Sequence, residues 1–186
     1  MVQSNAQCSL FLCPVQQDFS IEDIAGFISV LQAIGFVAEK INPSEPDDRY
    51  FSGDDFLKYI SYMGCAPAIQ FEASDSGGDF CYVHLHQYES AKLIHSKIQT
   101  RPPHCPDCHK PVKNWQQNLM TDMIVCQHCN TGSRIEAYDW RKMAGYARLF
   151  IEITDVFPKE ALPQPALLEK LTTTANTEWQ YFYACR

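Results

Sequence analysis

Four cysteines, Cys105, Cys108, Cys126 and Cys129, stand in the pattern C-x2-C-x17-C-x2-C, within "HCPDCHKPV" and "IVCQHCN". A Cys-x-x-Cys pair on a tight turn aims two sulfurs to one side. An intervening hairpin then brings the second pair round to complete a tetrahedron with metal–sulfur distances of about 2.3 Å. The spacing lies in the window of four-cysteine zinc sites. Iron fits the same four sulfurs, whereas a thioredoxin-like redox pair needs only one Cys-x-x-Cys beside a βαβ unit. One Zn²⁺ is therefore the expected cofactor. Four thiolates fill its tetrahedron and leave no position for substrate, so the expected role is structural.

The two pairs resemble the knuckles of the zinc ribbon family, with "CPDCHKPV" as the first and "CQHCNTG" as the second, over about residues 102–135. The resemblance implies a structural zinc module for that segment and nothing for the remainder. His109 and Asn130 stand where the commonest ribbon pattern places Gly. Asn tolerates a positive φ there, and His is the less usual occupant. So short a segment buries too little apolar surface to fold alone, and a structural zinc contributes on the order of 10 kcal/mol to such a fold.

A second set of metal-ligating types lies in "FCYVHLHQ", where strand alternation puts Phe80, Tyr82, His84 and His86 on one face and Cys81, Val83 and Leu85 on the other. Two imidazoles two residues apart can chelate a metal. A third ligand from Asp79, Glu72 or "SGDDF" would make an open, catalytic site, the basis of an alternative reading as a metal-dependent hydrolase. The plain alternative is a pair of hydrogen-bonded histidines. Cys65, in "MGCAPAI", is a nucleophile candidate to which no base or cation can be assigned, and a small core residue is its ordinary role. Lys110, Lys113, Arg134, Arg141, Lys142 and Arg148 interleave with Trp115, Tyr138, Trp140 and Tyr146, the ingredients of a single-stranded nucleic-acid platform. Against that reading, four thiolates with one Zn²⁺ carry a net negative charge, and the aromatics can instead pack inward. No phosphate-binding glycine loop, G-x-S-x-G elbow, H-E-x-x-H or kinase-type signature occurs, which lowers the expectation of an enzyme.

The elements that must position these residues can be read from periodicity and punctuation. "CSLFLCP" reads as a buried strand. "SIEDIAGFISVLQAIG" reads as a helix capped by Ser20 with Asp23 and stopped by Gly35, and "FVAEKI" as a strand. "SGDDFLKYISYMG" reads as a second helix with Ser52 and Asp55 at its start and Gly64 at its end. "APAIQFE" and "FCYVHLHQ" read as an antiparallel hairpin around "ASDSGGD", while "ESAKLIHSKI" is ambiguous. "RLFIEITDVF" reads as a strand, "PALLEKL" as a short helix with Pro165 in its first turn, and "EWQYFYAC" as a last strand. "RPPHCP" and "FPKEALPQP" read as stiff connections, and the acidic run Asp47, Asp48, Asp54 and Asp55 as a loop and helix start. The expected fold is α+β, a mixed or antiparallel sheet packed with helices. Residues 1–100 and 145–186 form one discontinuous domain in this reading, and residues 101–144 an inserted four-cysteine zinc ribbon.

The 186 residues suffice for one such domain with an insert. Apolar runs fall far short of the roughly 20 residues that span a bilayer, and "MVQSNAQCSL" lacks a secretory n-region, so a soluble, cytoplasmic protein is expected, with its thiols free or on metal. Net charge is −7, and residues 1–100 hold 13 acidic against 5 basic side chains. That balance disfavours loose binding to nucleic acid and suits a basic protein partner. The leading expectation is a zinc-binding, non-enzymatic binding or regulatory protein, of which an acidic inhibitor of a cationic enzyme is one concrete form.

Overall fold

The computed structural model describes residues 7–63, 69–72, 80–98, 101–113, 115–121, 123–156 and 159–185. Strand β1 (Cys8–Pro14) lies between two antiparallel neighbours, β10 (Trp179–Cys185) and β8 (Ala144–Ile153), and is buried along its whole length. The sheet continues through β5 (Tyr82–His95) and β3 (Asp48–Ser52) to β2 (Val37–Lys40), in the order β10-β1-β8-β5-β3-β2. All its pairings are antiparallel. The architecture is α+β but dominated by sheet, with three α-helices among the described residues.

Those helices cover one face. Phe27, Ile28 and Leu31 of α1 (Ile24–Ala33), Phe56 of α2 (Phe56–Tyr59) and Leu167 and Leu171 of α3 (Pro165–Ala175) pack on Leu10, Leu12, Val83, Leu85, Leu149, Ile151 and Ile153. The α1 stripe is as expected, but its cap is Asp23, whose carboxylate accepts from Gly26 N at 2.8 Å; Ser20 lies outside the helix. Gly35 at φ +70° closes it, a conformation that favours glycine. The second helix is a single turn. Asp55 caps without a side-chain bond to backbone and pairs with Lys58, and Ile60–Tyr62 continue as strand β4 against β9 (Ala161–Pro163). Tertiary pairing of β-branched and aromatic residues outweighs the helical spacing there.

Three further expectations are corrected. Asp48, placed in a loop with the acidic run, and Ser52, placed at a helix start, instead bound the inner strand "DRYFS", and "ALP" within the presumed stiff connection is a strand. Among the described residues the hairpin between "APAIQFE" and "FCYVHLHQ" is not seen: β5 pairs with β3 and β8, and residues 69–72 are not strand, although Cys81 N–H donates to Gln70 O. Gly64, residues 66–68 of "APAIQFE" and all of "ASDSGGD" lie outside the described residues. The ambiguous "ESAKLIH" belongs to β5, which runs for 14 residues.

The opposite face is organised by curvature. β5 bulges between Gln87 and Lys92, where Arg148 donates to Tyr88 O and to Asp18 O, so its far half turns back over the sheet. Lys97 N–H then donates to Cys185 O, and Cys185 N–H to Ser96 Oγ, joining the end of β5 to the outer strand β10. The half-closed curl encloses Phe11, Cys13, Ala147, Phe150, Phe182 and Ala184, with Phe11 stacked on Phe182. Cys8 and Cys185, opposite each other in β1 and β10, form a disulfide. This corrects the expectation that all thiols are free or on metal: antiparallel register brings two residues 177 apart in sequence side by side. Disulfides persist in oxidising compartments, so the bridge weighs against the cytoplasmic expectation.

Candidate metal centres

The four cysteines come together as expected. Cys105 Sγ lies 3.7 Å from Cys129 Sγ, and Cys108 Sγ 3.6 Å from Cys126 Sγ. All four sulfurs lie within 4.8 Å of one another. A tetrahedron with 2.3 Å metal–sulfur bonds has edges of about 3.8 Å, so the donor set fits Zn²⁺ in size, number and softness.

Each knuckle is built by its backbone. His109 N–H donates to Cys105 O and Asn130 N–H to Cys126 O, while His128 N–H donates to Cys126 Sγ. His109 and Asn130 take φ values of 56° and 58°, so His109 accepts the left-handed turn that glycine usually supplies. Hydrogen bonds from the Thr131 side chain and backbone hold the Cys129 thiol down to about 6, where a thiolate ligand is available at neutral pH. Around the site, Val112, Trp115, Ile124, Ile135, Tyr138, Trp140 and Ala144 make a separate small core, onto which Leu93 and Tyr146 of the sheet pack. Tyr138 Oη donates to Ile124 O and Trp140 Nε1 to Ile135 O.

Three of the four aromatics that interleave with the basic residues of this segment pack into that core. Trp115, Tyr138 and Trp140 are buried, Trp115 edge-on to Trp140, and Arg148 is engaged with the β5 bulge. What remains is a cleft of roughly 650 Å³ between the cysteine segment and the curled sheet, lined among others by Trp140, Arg141, Lys142, Tyr146 and Tyr181. Arg141 and Lys142 occupy consecutive left-handed positions, φ 53° and 59°, in a turn closed by Met143 N–H donating to Trp140 O. Lys142 Nζ lies over the Tyr181 ring, and Arg141 lies beside His104.

The histidines sit where alternation puts them, in a ladder of rings along β5: Phe80, Tyr82, His84, His86 and Tyr88. Their carboxylate is Glu152 of β8, which faces His84 in register. Sequence reasoning placed the third ligand in Asp79, Glu72 or "SGDDF". Asp79 lies outside the described residues, Glu72 is exposed, and among the described residues only Glu152 joins the pair. The polar outlier in "RLFIEITDVF" was its one sequence signal, since Glu in a buried strand requires a partner. His86 Nε2–H donates to Glu152 Oε2 at 2.7 Å, His84 Nδ1 is 4.0 Å from the same oxygen, and the two imidazole centroids are 3.7 Å apart. Ser9 Oγ–H donates to the other oxygen, Oε1, at 2.7 Å. Cys65 lies outside the described residues.

No family model, curated protein or solved structure matches the chain.

Proposed function

We propose that the protein is a zinc-organised binding protein whose cysteine segment, residues 101–144, is an inserted ribbon presenting a rigid contact face to a protein partner. One observation carries this reading. On β6 (Met123–Val125), paired with β7 (Gly132–Arg134), Ile124 is fully buried while Met123 and Val125 are 44% and 58% exposed on the outer side. They flank Gly132, leaving a flat apolar strip with Arg134 at its end. Scattered exposed apolar residues are ordinary, but two adjacent ones on a hairpin pinned by metal form a preorganised surface that costs little entropy to dock.

The tetracysteine centre holds this hairpin in place and takes no part in chemistry, because its thiolates fill the zinc's coordination. The acidic main body, with Glu39, Glu45, Asp47 and Asp54 exposed near the β2 edge, supplies a second surface that steers a basic partner. The burial of Trp115, Tyr138 and Trp140 favours a protein over single-stranded nucleic acid.

The test is site-specific photo-crosslinking from position 134, at the end of the strip, in cell extract, followed by recovery of the crosslinked species in the Met123→Glu/Val125→Glu background. A discrete partner protein that is lost in the double variant, with one zinc per chain retained on the cysteines, is the expected result. A partner recovered equally well by the variant, or a crosslink to nucleic acid alone, would overturn the reading.

A further inference from the structure

We propose that His84, His86 and Glu152 form a second divalent-metal site, separate from the tetracysteine centre, for a first-row cation of the Zn²⁺ or Co²⁺ type. It uses neither the ribbon nor the docking surface, and its success or failure is independent of that reading.

The donor set is two imidazole nitrogens and one carboxylate oxygen, which suits such cations and leaves a fourth position for water. The distances are close to those a metal needs. Donors at about 2.0–2.2 Å from a tetrahedral ion lie about 3.3 Å apart. Glu152 Oε2 is 2.7 Å from His86 Nε2 and 4.0 Å from His84 Nδ1, and all three donors lie within 4.8 Å of one another. Small adjustments of the two rings bring both separations to the required value, with the metal taking the place of the proton that His86 now shares with Glu152.

The site is also built. Register sets Glu152 between Phe11 of β1 and His84 of β5, so the carboxylate is fixed by the sheet itself. Its side chain is 4% exposed, and the bond from Ser9 leaves Oε2 turned toward the imidazoles. Hydrogen-bonded carboxylates of this kind commonly support metal ligands. Packing by Phe11 and Phe150 makes the surroundings apolar, which strengthens a bond between cation and carboxylate. His84 and His86, at 19% and 15%, stay open on one side, giving a cation a path in and the fourth position access to water.

The test uses the full chain with zinc retained on the cysteines. Co²⁺ is titrated in, read by its visible d–d absorption and by native mass spectrometry, for wild type, His86→Gln and Glu152→Gln. The expected result is one further equivalent of Co²⁺, whose spectrum lacks the intense near-ultraviolet thiolate-to-cobalt band of a cysteine site, with affinity reduced at least tenfold in either variant. Absence of a second equivalent at millimolar Co²⁺ would overturn the proposal. So would an equivalent bound equally by all three proteins, which would mark adventitious surface binding. Should Glu152→Gln not fold, His84→Asn, at the open side of the site, takes its place and carries the same expectation.

Discussion

His84 is held in its neutral form by its neighbours. Burial and the adjacent His86 push its pKa down to about 4, Glu152 and Asp47 pull it up, and Arg49 on β3 adds to the lowering. An unfolded histidine titrates near pH 6.5, so between about 6.5 and 4 the unfolded chain binds more protons than the folded one. Stability should therefore fall as pH is lowered through that window. Discounted for solvent screening of a partly open ring, the loss attributable to His84 from pH 7 to pH 5 is about 1 kcal/mol. Urea midpoints in metal-free buffer should drop further for wild type than for His84→Gln, and parallel drops would remove His84 from the balance. Burial acts on two thiols in the opposite chemical sense, raising Cys13 to about 12 and Cys81 to about 11. With almost no thiolate at pH 8, both should resist iodoacetamide in the native protein and react once it is unfolded, as read by peptide mass mapping. Rapid native alkylation of either would contradict the packing described.

At the scale of elements, the curl of the sheet depends on one close approach. A Cβ on Gly145 would stand 2.3 Å from Phe182 Cε1, and Phe182 is itself clamped between Phe11 and Phe150. Gly145→Ala should cost about 1–3 kcal/mol by overpacking, measured from denaturant midpoints. A neutral result would mean that the β8 start can move away from β10 without loss. The same close approach explains why the second face was not legible in advance. Phe11, Phe150 and Phe182 read as alternating residues of three separate strands, and nothing local says that a bulge in a fourth strand folds over them.

For the molecule as a whole, the Cys8–Cys185 bridge closes nearly the entire chain into a loop, with 177 residues of separation. A cross-link of that span restricts the unfolded state by about 5 kcal/mol in the chain-entropy account. The Cys8→Ala/Cys185→Ala variant should accordingly unfold at clearly lower denaturant while retaining its secondary structure by circular dichroism. A variant as stable as wild type would show that the paired strands β1 and β10 already hold the ends together. Among the described residues no helix is long and apolar enough to cross a membrane.

The sequence by itself determined the tetracysteine cluster, the first and last strands, the stripe of α1 and the shared face of His84 and His86, because each is a matter of spacing within one short segment. Ligand spacing, helical period and strand alternation are local and survive any tertiary arrangement. Only the tertiary structure decided that Glu152 completes the histidine pair, that Cys8 meets Cys185, that "DRYFS" is an inner strand and that "SGDDFLKYISYMG" gives a single helical turn before pairing with β9. Each of these depends on which strand lies beside which. Strand order is set by burial summed over the whole sheet, a quantity that no single segment carries.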